Sequence, residues 1–283
     1  MSERTSRRTG GSPPTVVVDD LRVTFEVQVG RHGGDGRRRR GTTRQRVEAL
    51  KGISAVVHRG EAVGIVGRNG SGKSTFLRAI AGLSPVSGGA VWASATPTLL
   101  GVNAALLPNL SGERNIELGC LAIGMTPKEI RERKDEIAEF SGIGDAIYRP
   151  MRTYSAGMGS RLKFAIATAK VPEVLLIDEA LNTGDAEFRE RSQERIRQLQ
   201  AEAGTVFLVS HTLAAVEDTC TRTMWIHDGE LRLDGPTEEV LGAYKDYNAG
   251  WRHFRAGTRR EAPRLPGPVV GLDRSFSAVV ERS

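Results

Sequence analysis

Residues 61–83 read EAVGIVGRNGSGKSTFLRAIAGL and contain the strongest motif of the 283-residue chain. An apolar segment, Ala62–Val66, predicts a buried strand, and the apolar spacing of Ser74–Ala81 predicts a helix. The loop between them has the G-x-x-x-x-G-K-S pattern, in which glycines let backbone N–H groups surround a phosphate and the following helix adds positive potential. The segment therefore predicts a nucleotide site built from a strand, a loop and a helix.

The residues of this loop have distinct expected roles toward a bound nucleotide. Lys73 is expected to reach the β and γ phosphates, Ser74 to place its hydroxyl on Mg²⁺, and Thr75 to lie near the α phosphate. From the frequencies of Gly, Lys, Ser and Thr in this chain, a chance match would occur in about one such chain in a hundred. The predicted nucleotide-binding residues are Gly67, Arg68, Asn69, Gly70, Ser71, Gly72, Lys73, Ser74 and Thr75.

The composition is that of a globular protein without a disulfide framework. Hydrophobic residues make up 39% and charged residues 26% of the chain, which allows a substantial core. The two cysteines, Cys120 and Cys220, match no metal or disulfide spacing, and the N-terminus lacks the apolar core of a secretory signal. Prolines and glycines interrupt the uncharged run 79–112, so we expect no membrane span and a reducing, cytosolic setting.

The net charge of +6 is concentrated at the two ends of the chain. The first 50 residues carry 11 Arg and 6 acidic residues, and residues 251–283 carry 7 Arg and 3 acidic residues, so the segment between them has a net charge of −3. Nucleic-acid binding requires a basic face on the folded body rather than basic arms. We therefore expect no nucleic acid partner.

The first 60 residues predict a tail followed by an interrupted pair of strands. Residues 1–14 have almost no apolar content and are expected to be disordered, and a strand begins at Thr15. The arginine- and glycine-rich segment 31–46 is expected to be a solvated basic loop inserted in a hairpin. Contact of this loop with anionic lipid headgroups or an anionic substrate is the alternative.

Helical and strand signals alternate in the second half of the chain. A helical region is predicted at about 111–170, where Thr126 caps a helix that has Pro127 at its first position and Glu129 completing a capping box. Apolar runs in VPEVLLIDEA and GTVFLVSH predict buried strands, and Asp228-Gly229 predicts the turn of a hairpin that leads into a closing helix. Strands separated by helices predict an α/β fold with a largely parallel sheet.

Two adjacent carboxylates end the apolar run Val174–Ile177. Ligands of parallel sheets bind at the carboxyl ends of the strands. There Asp178 is expected to bind Mg²⁺ through water, and Glu179 to act as general base toward the attacking water. Such a pair alone is more often a solvated strand end, but the glycine-rich loop upstream favours the catalytic interpretation.

A third motif, Tyr154-Ser155-Ala156-Gly157-Met158, opens an apolar-periodic helix and predicts an N-cap with free N–H groups. Its Ser155 lies 23 residues before Asp178, and His211 follows Glu179 by 32 residues at the end of an apolar strand. The chain thus contains four motifs in the order glycine-rich loop, Tyr154–Met158, Asp178-Glu179 and His211. Their kind and order resemble those of ATP-binding cassette proteins, over about residues 15–245. The YSxGM form of the signature motif is similar to that of the branch that exports polysaccharides and teichoic acids.

The resemblance implies an α/β fold, a P-loop NTPase cassette with a RecA-like core lobe, an antiparallel β subdomain and an inserted helical subdomain. The cassette would cover residues 15–245, with the core lobe at 15–100 and 166–245 and the helical subdomain at 101–165. A short C-terminal tail would cover 246–283.

The resemblance also implies the ligands and the assembly. ATP and Mg²⁺ would bind, and a head-to-tail homodimer would close the signature residues of one subunit over the ATP of the other. The resemblance assigns catalysis to Lys73, Glu179 and His211, with His211 sensing the γ phosphate, and metal binding to Ser74 and Asp178. It assigns the signature that acts in trans to Ser155, Ala156, Gly157 and Met158. Asp185 is the D-loop residue expected at the dimer interface.

Two features of the family's site are not plainly matched. The glutamine that links Mg²⁺ and the attacking water to the helical subdomain is expected near Val102, where Leu100–Ala104 contain no glutamine and Asn103 has a shorter reach. The aromatic residue that stacks on adenine is expected in the first strand. Phe25 is the candidate, and an ordinary core phenylalanine is the alternative.

The function that the resemblance implies is that of the ATP-hydrolysing subunit of an exporter, peripheral at the cytoplasmic face of the membrane and working with a separate membrane-spanning permease. The implied cargo is a lipid-linked polysaccharide or a teichoic-acid-like polymer. Export of lipids or drugs is the closer alternative. A soluble ATPase acting on ribosomes or DNA is the more distant one, because Lys73 and Ser155 are only 82 residues apart and leave no room for long coiled coils.

Overall fold

The computed structural model describes residues 12–30, 42–100, 106–178, 186–210, 212–256, 258 and 261–267. Its strands are β1 (Pro14–Gly30), β2 (Thr42–His58), β3 (Ala62–Val66), β4 (Gly88–Ala93), β5 (Thr98–Leu100), β6 (Val174–Asp178), β7 (Thr205–Val209), β8 (Arg222–His227) and β9 (Glu230–Pro236). Its α-helices are α1 (Lys73–Ile80), α2 (Gly112–Ala122), α3 (Pro127–Ser141), α4 (Ala156–Ala167), α5 (Ala186–Glu202), α6 (Leu213–Thr219) and α7 (Thr237–Arg255), and two 3-10 turns cover Gly144–Tyr148 and Met151–Thr153.

The central sheet has the strand order β5-β6-β7-β3-β8-β9. All its pairs are parallel except that of β8 with β9, which are joined by the predicted turn at Asp228 and Gly229. Every residue of β7 is buried, as expected of a strand covered on both faces. The α/β fold with a largely parallel sheet is thereby confirmed.

Side chains of the central sheet alternate between two apolar clusters. Phe207 and Val209 of β7 point to the cluster shared with α1 and the antiparallel strands, whereas Val206 and Leu208 point to the cluster shared with α7. This alternation follows from the two-residue period of a strand. The sheet therefore lies between two cores, and its carboxyl edge is free to hold the loops that follow β3, β6 and β7.

A second, antiparallel sheet has the strand order β2-β1-β4 and forms the predicted antiparallel β subdomain.

The structure corrects two boundaries of the sequence prediction. Residues 42–46, predicted as part of the basic loop 31–46, belong to β2 and pair with 26–30 of β1. Pro13, predicted in the tail 1–14, accepts a hydrogen bond from the Arg59 N–H over 3.0 Å, because the chain before β1 runs beside the end of β2. Residues 1–11 and 31–41 lie outside the described part of the chain.

Helices α2, α3 and α4 form the predicted helical subdomain around a core of their own, which includes Ile116, Ile130 and Leu162. The capping box at the start of α3 is confirmed: Thr126 Oγ1 accepts from the Glu129 N–H, and the Glu129 carboxylate accepts from the Thr126 N–H. A separate core makes this subdomain a distinct body beside the sheet.

The closing helix α7 runs through residue 245, where the cassette is predicted to end and the C-terminal tail to begin. It continues to Arg255 because Tyr247 and Trp251, one turn apart, pack against the cluster that contains Trp225. Leu265, beyond the helix, packs against the same cluster. Within the described ranges, no helix is long and apolar enough to cross a membrane.

Candidate functional site

The loop between β3 and α1 has a backbone that only glycine adopts readily. Gly67 has φ +152° and Gly72 has φ +107°. A Cβ on Gly67 would lie 2.1 Å from the Ile226 carbonyl oxygen, and one on Gly72 would lie 2.8 Å from the Ala49 carbonyl oxygen. Two of the motif's glycines are therefore required both by backbone conformation and by close packing against β8 and β2.

Lys73 is folded over this loop. The residue is 6% exposed, and its ammonium donates to the Gly67 carbonyl over 2.8 Å and to the Arg68 carbonyl over 2.9 Å. These contacts hold one full positive charge at the concave side of the loop, where a phosphate would replace carbonyl oxygens as its partner.

Helix α1 begins without a side-chain cap. Its N-cap is Gly72, which offers no side-chain cap, and the first turn contains no acidic residue. Ser71 beside it is 2% exposed, and its hydroxyl has no hydrogen-bond partner among the described residues. Uncapped N–H groups at a helix N-terminus bind anions, so the loop is open to a phosphate.

Asp178 lies at the carboxyl edge of the sheet with the glycine-rich loop. It pairs in register with Val209 of β7, which in turn pairs with Ile65 of β3. Because neighbouring strands are about 4.8 Å apart, the backbone of Asp178 lies about 10 Å from that of β3, across β7. The half-buried Asp178 and the loop after Val66 therefore lie at the same edge of the sheet, separated by one strand.

The third motif forms the start of α4. The Ser155 hydroxyl caps the helix by accepting from the Met158 N–H over 3.2 Å, which confirms the predicted N-cap. Ser155, Ala156 and Gly157 are all exposed. Tyr154, before them, donates to the Ala146 carbonyl over 2.7 Å, and burial raises the pKa of its hydroxyl. The motif is fixed on the helical subdomain and presents its free face to solvent.

Phe25 is 36% exposed and lies on β1 opposite Val47 of β2, which is 43% exposed. Further along β2, Ala49 and Leu50 touch the space beside Gly72 of the glycine-rich loop. Phe25 is therefore not an ordinary core residue; with Val47 it forms an exposed apolar pair on the two strands, and the strand that carries Val47 reaches the loop at Ala49.

Several predicted site residues lie outside the described residues. These are Glu179, Asp185 and His211, together with the segment 101–104 that contains Asn103.

Sequence reasoning missed a residue that connects the site to the rest of the fold. Gly229 was predicted only as a hairpin turn, yet its N–H donates to the Ser71 carbonyl over 2.9 Å and its carbonyl accepts from the Lys51 N–H over 2.9 Å. Its φ of +82° and a Cβ position 2.8 Å from the Ala49 carbonyl oxygen exclude a side chain. The Asp-Gly pair signals a turn, but no local signal shows what the turn touches.

The sequence matches a family model described as ABC transporter over residues 50–182. It is 40% identical over 206 residues to a teichoic acids export ATP-binding protein of Enterococcus faecalis, covering 73% of this chain and 46% of that protein. It is 41% identical over 201 residues to an O-antigen export system ATP-binding protein of Myxococcus xanthus, covering 71% of this chain and 46% of that protein.

A teichoic acids export ATP-binding protein of Staphylococcus epidermidis is 38% identical over 213 residues, which are 75% of this chain and 80% of that protein. The chain spans about half the length of the relatives from E. faecalis and M. xanthus.

Solved structures share the fold. A structure of an ATP-binding subunit of an ABC transporter superposes with a TM-score of 0.61 at 21% identity, over 88% of this chain and 95% of that one. A dimeric ATP-binding cassette in a post-hydrolysis state, bound to ADP and Pi, superposes with a TM-score of 0.58 at 22% identity, over 78% of this chain and 98% of that one.

Proposed function

Because the chain belongs to the ABC transporter family, we propose that it is the ATP-hydrolysing subunit of an exporter that moves a lipid-linked polysaccharide or teichoic-acid-like polymer across the cytoplasmic membrane. The observation that carries the ATPase part is the shared sheet edge of the glycine-rich loop and Asp178. The cargo class is supported by the names of relatives about 40% identical.

The geometry of the loop fits the triphosphate of ATP. Lys73 supplies the positive charge, the start of α1, which has no side-chain cap, supplies N–H donors, and Gly67 and Gly72 let the backbone of the loop pack closely against β8 and β2. Phe25 and Val47 are exposed on β1 and β2, two residues along β2 from Ala49, which lies beside Gly72, and the adenine ring would stack there.

The oxygen donors at this edge fit Mg²⁺ that arrives with the nucleotide. Ser74 is exposed at the start of α1, and Asp178 is half-buried at the end of β6. Bound Mg²⁺ would neutralise charge that develops on the phosphates. Glu179 follows Asp178 directly and would take a proton from the attacking water, and His211, two residues after the end of β7, would contact the γ phosphate.

Two copies of the chain would complete the site. Ser155, Ala156 and Gly157 are exposed on the helical subdomain, so they are free to meet the ATP held by a second subunit. Asp185, the residue directly before α5, is the D-loop acid proposed to cross the interface. Hydrolysis would then depend on dimerisation.

The helical subdomain carries an apolar surface suited to a membrane-spanning partner. Leu107 is 48% exposed and Tyr148 is 69% exposed. Two backbone hydrogen bonds join the segment around Leu107 to the segment after Tyr148. The Arg152 N–H donates to the Pro108 carbonyl, and the Met151 N–H donates to the Leu110 carbonyl. We place the permease contact here, which would hold the subunit at the cytoplasmic face of the membrane.

The test is to co-express the chain with a candidate polysaccharide-export permease, purify the complex in lipid and measure ATP hydrolysis. Glu179→Gln is expected to lower the rate by about 10²-fold or more because the general base is lost. Glu173→Gln, on the turn before β6 at the opposite end of that strand, is the matched control and should leave the rate unchanged. A chain that fails to join the permease, or that hydrolyses ATP normally with Glu179→Gln, would overturn the proposal.

A further inference from the structure

We propose that a basic cavity between the glycine-rich loop and α7 binds a phosphate-bearing anion, separately from the nucleotide. The cavity has a volume of about 410 Å³, within the usual range for small-ligand sites. It is lined by Arg68, Leu213, Lys245, Asn248, Trp251, Arg252 and Arg255.

Four of the lining residues form one stripe of α7. Lys245, Asn248, Arg252 and Arg255 follow one another at spacings of three, four and three residues, which places them on a single helix face. Arg68, exposed on the glycine-rich loop, faces this stripe across the cavity. Three cations of a helix and one of a loop therefore converge on one space.

The positive charge of the cavity is only partly balanced. No carboxylate lines the cavity within the described residues. Lys245 pairs with Glu217 of α6, whereas among the described side chains no carboxylate forms an ion pair with Arg68, Arg252 or Arg255. Like charges three or four residues apart on a helix are destabilising, so an anion bound between them would stabilise the arrangement.

Helix α7 alone accounts for part of this pattern. Arg252 and Arg255 lie in its last turn, where cations interact favourably with the helix dipole. The dipole does not account for Lys245, about two turns earlier, or for Arg68 on a different element. The convergence of these four residues is what indicates a ligand.

The chemistry of the lining identifies the ligand class. Guanidinium groups form paired hydrogen bonds with phosphate oxygens, and Asn248 adds a neutral donor. The Arg255 guanidinium lies over the Trp251 ring, 5.8 Å from its centre. Trp251 and Leu213 form the apolar wall of the cavity, so this contact holds the guanidinium against that wall. A phosphate monoester or a diphosphate fits this wall, whether it is free in solution or is the headgroup of an anionic lipid.

The test measures binding of pyrophosphate by calorimetry to a Lys73→Ala variant, whose nucleotide site is disabled, and therefore does not depend on ATP hydrolysis. We expect saturable binding that Arg252→Gln weakens about tenfold, because a charge-assisted hydrogen bond is lost. Arg78→Gln is the matched control: Arg78 is also an exposed arginine in the last turn of a helix, and its loss should change nothing. If Lys73→Ala does not fold, the wild-type chain saturated with a non-hydrolysable ATP analogue takes its place.

Vesicles distinguish the two sources of the phosphate. If vesicles that contain phosphatidic acid, whose headgroup is a phosphate monoester, capture the protein, phosphatidylcholine vesicles do not, and Arg252→Gln abolishes the capture, the ligand is a lipid headgroup. Pyrophosphate binding without capture identifies a soluble ligand. Absence of both, or equal binding by Arg252→Gln and Arg78→Gln, overturns the proposal.

Discussion

The N–H of Gly229 donates to the carbonyl oxygen of Ser71, and this bond ties the β8–β9 turn to the glycine-rich loop over 2.9 Å. The Gly229 carbonyl accepts from Lys51 of β2, so one residue connects the loop with both sheets. The antiparallel subdomain, which carries Phe25, is thereby held at a fixed position relative to the phosphate-binding loop. Nucleotide affinity should depend on this turn although the turn contacts no phosphate in the proposed site.

Gly229→Ala is expected to weaken ATP binding. The added Cβ would lie 2.8 Å from the Ala49 carbonyl oxygen at a φ of +82°, so the turn must shift. This shift would displace Ser71, because the Gly229 N–H is hydrogen-bonded to the Ser71 carbonyl. We expect a stability loss of about 2 kcal/mol and several-fold weaker binding of a fluorescent ATP analogue.

Gly60→Ala is the control for that prediction. Gly60 has a similar φ of +90°, and a Cβ there would meet nothing within 4 Å. It carries the same left-handed strain of about 1 kcal/mol without a contact to the loop. Equal nucleotide affinities of the two variants, each measured beside its denaturant unfolding curve, would show that Gly229 does not position the site.

Much of the site's framework could be predicted from local sequence. The strand Ala62–Val66 was predicted with its observed bounds, and the helix after it within one residue at each end, because the motif fixes both ends of the loop. The turn at Asp228 was predicted because Asp-Gly favours positive φ, and both residues adopt it.

Contacts between distant segments could not be predicted in the same way. Strand β4 was missed because its GGAVWA sequence has weak alternation, and its partner β1 lies about 70 residues earlier. The continuation of α7 beyond residue 245 does have a local signal, because Tyr244, Tyr247 and Trp251 recur at helical spacing. The hydrogen bond between Gly229 and Ser71 joins two backbone groups, so the pattern of side chains in the sequence does not predict it.

Asn115 is expected to be essential for the loop that precedes α2. Its side chain is fully buried, accepts from the Leu107 N–H over 2.7 Å, and donates to the carbonyls of Leu107, Leu110 and Ser111. Asn115→Asp would set a carboxylate against three carbonyl oxygens and should lower the free energy of unfolding by about 3 kcal/mol.

The same loop offers a matched control. Asn109→Asp makes the identical chemical change at an exposed position and should alter stability by less than about 0.5 kcal/mol. Chemical denaturation of both variants measures the difference. Similar midpoints for the two would mean that the Asn115 hydrogen bonds do not hold the loop.

Both cysteines should be unreactive in the folded protein. Burial raises the pKa of Cys120 to about 11 and that of Cys220 to about 12, so almost no thiolate forms at neutral pH. A thiol reagent such as DTNB is expected to label neither residue before unfolding and both in guanidinium chloride. Rapid labelling at pH 7.5 without denaturant would contradict the burial of these two side chains.

His227 should make stability fall at acidic pH. It is 8% exposed, its Nδ1 has no hydrogen-bond partner among the described residues, and it packs against Trp225 and Tyr247. Burial is the main cause of its lowered pKa; Arg232 and Arg68 act in the same direction, and Asp228 and Glu230 oppose them.

Because the pKa of His227 is lower in the folded state than its ordinary value of 6.5, the unfolded chain binds this proton more readily. The stability that depends on the neutral imidazole is therefore complete above about pH 6.5 and is lost as the pH falls below it. His227→Gln should flatten the dependence of the unfolding free energy on pH between about 5 and 7. His58→Gln removes an imidazole elsewhere and is the control. If the difference between wild type and His227→Gln is the same at both ends of this range, protonation of His227 does not contribute to acid destabilisation.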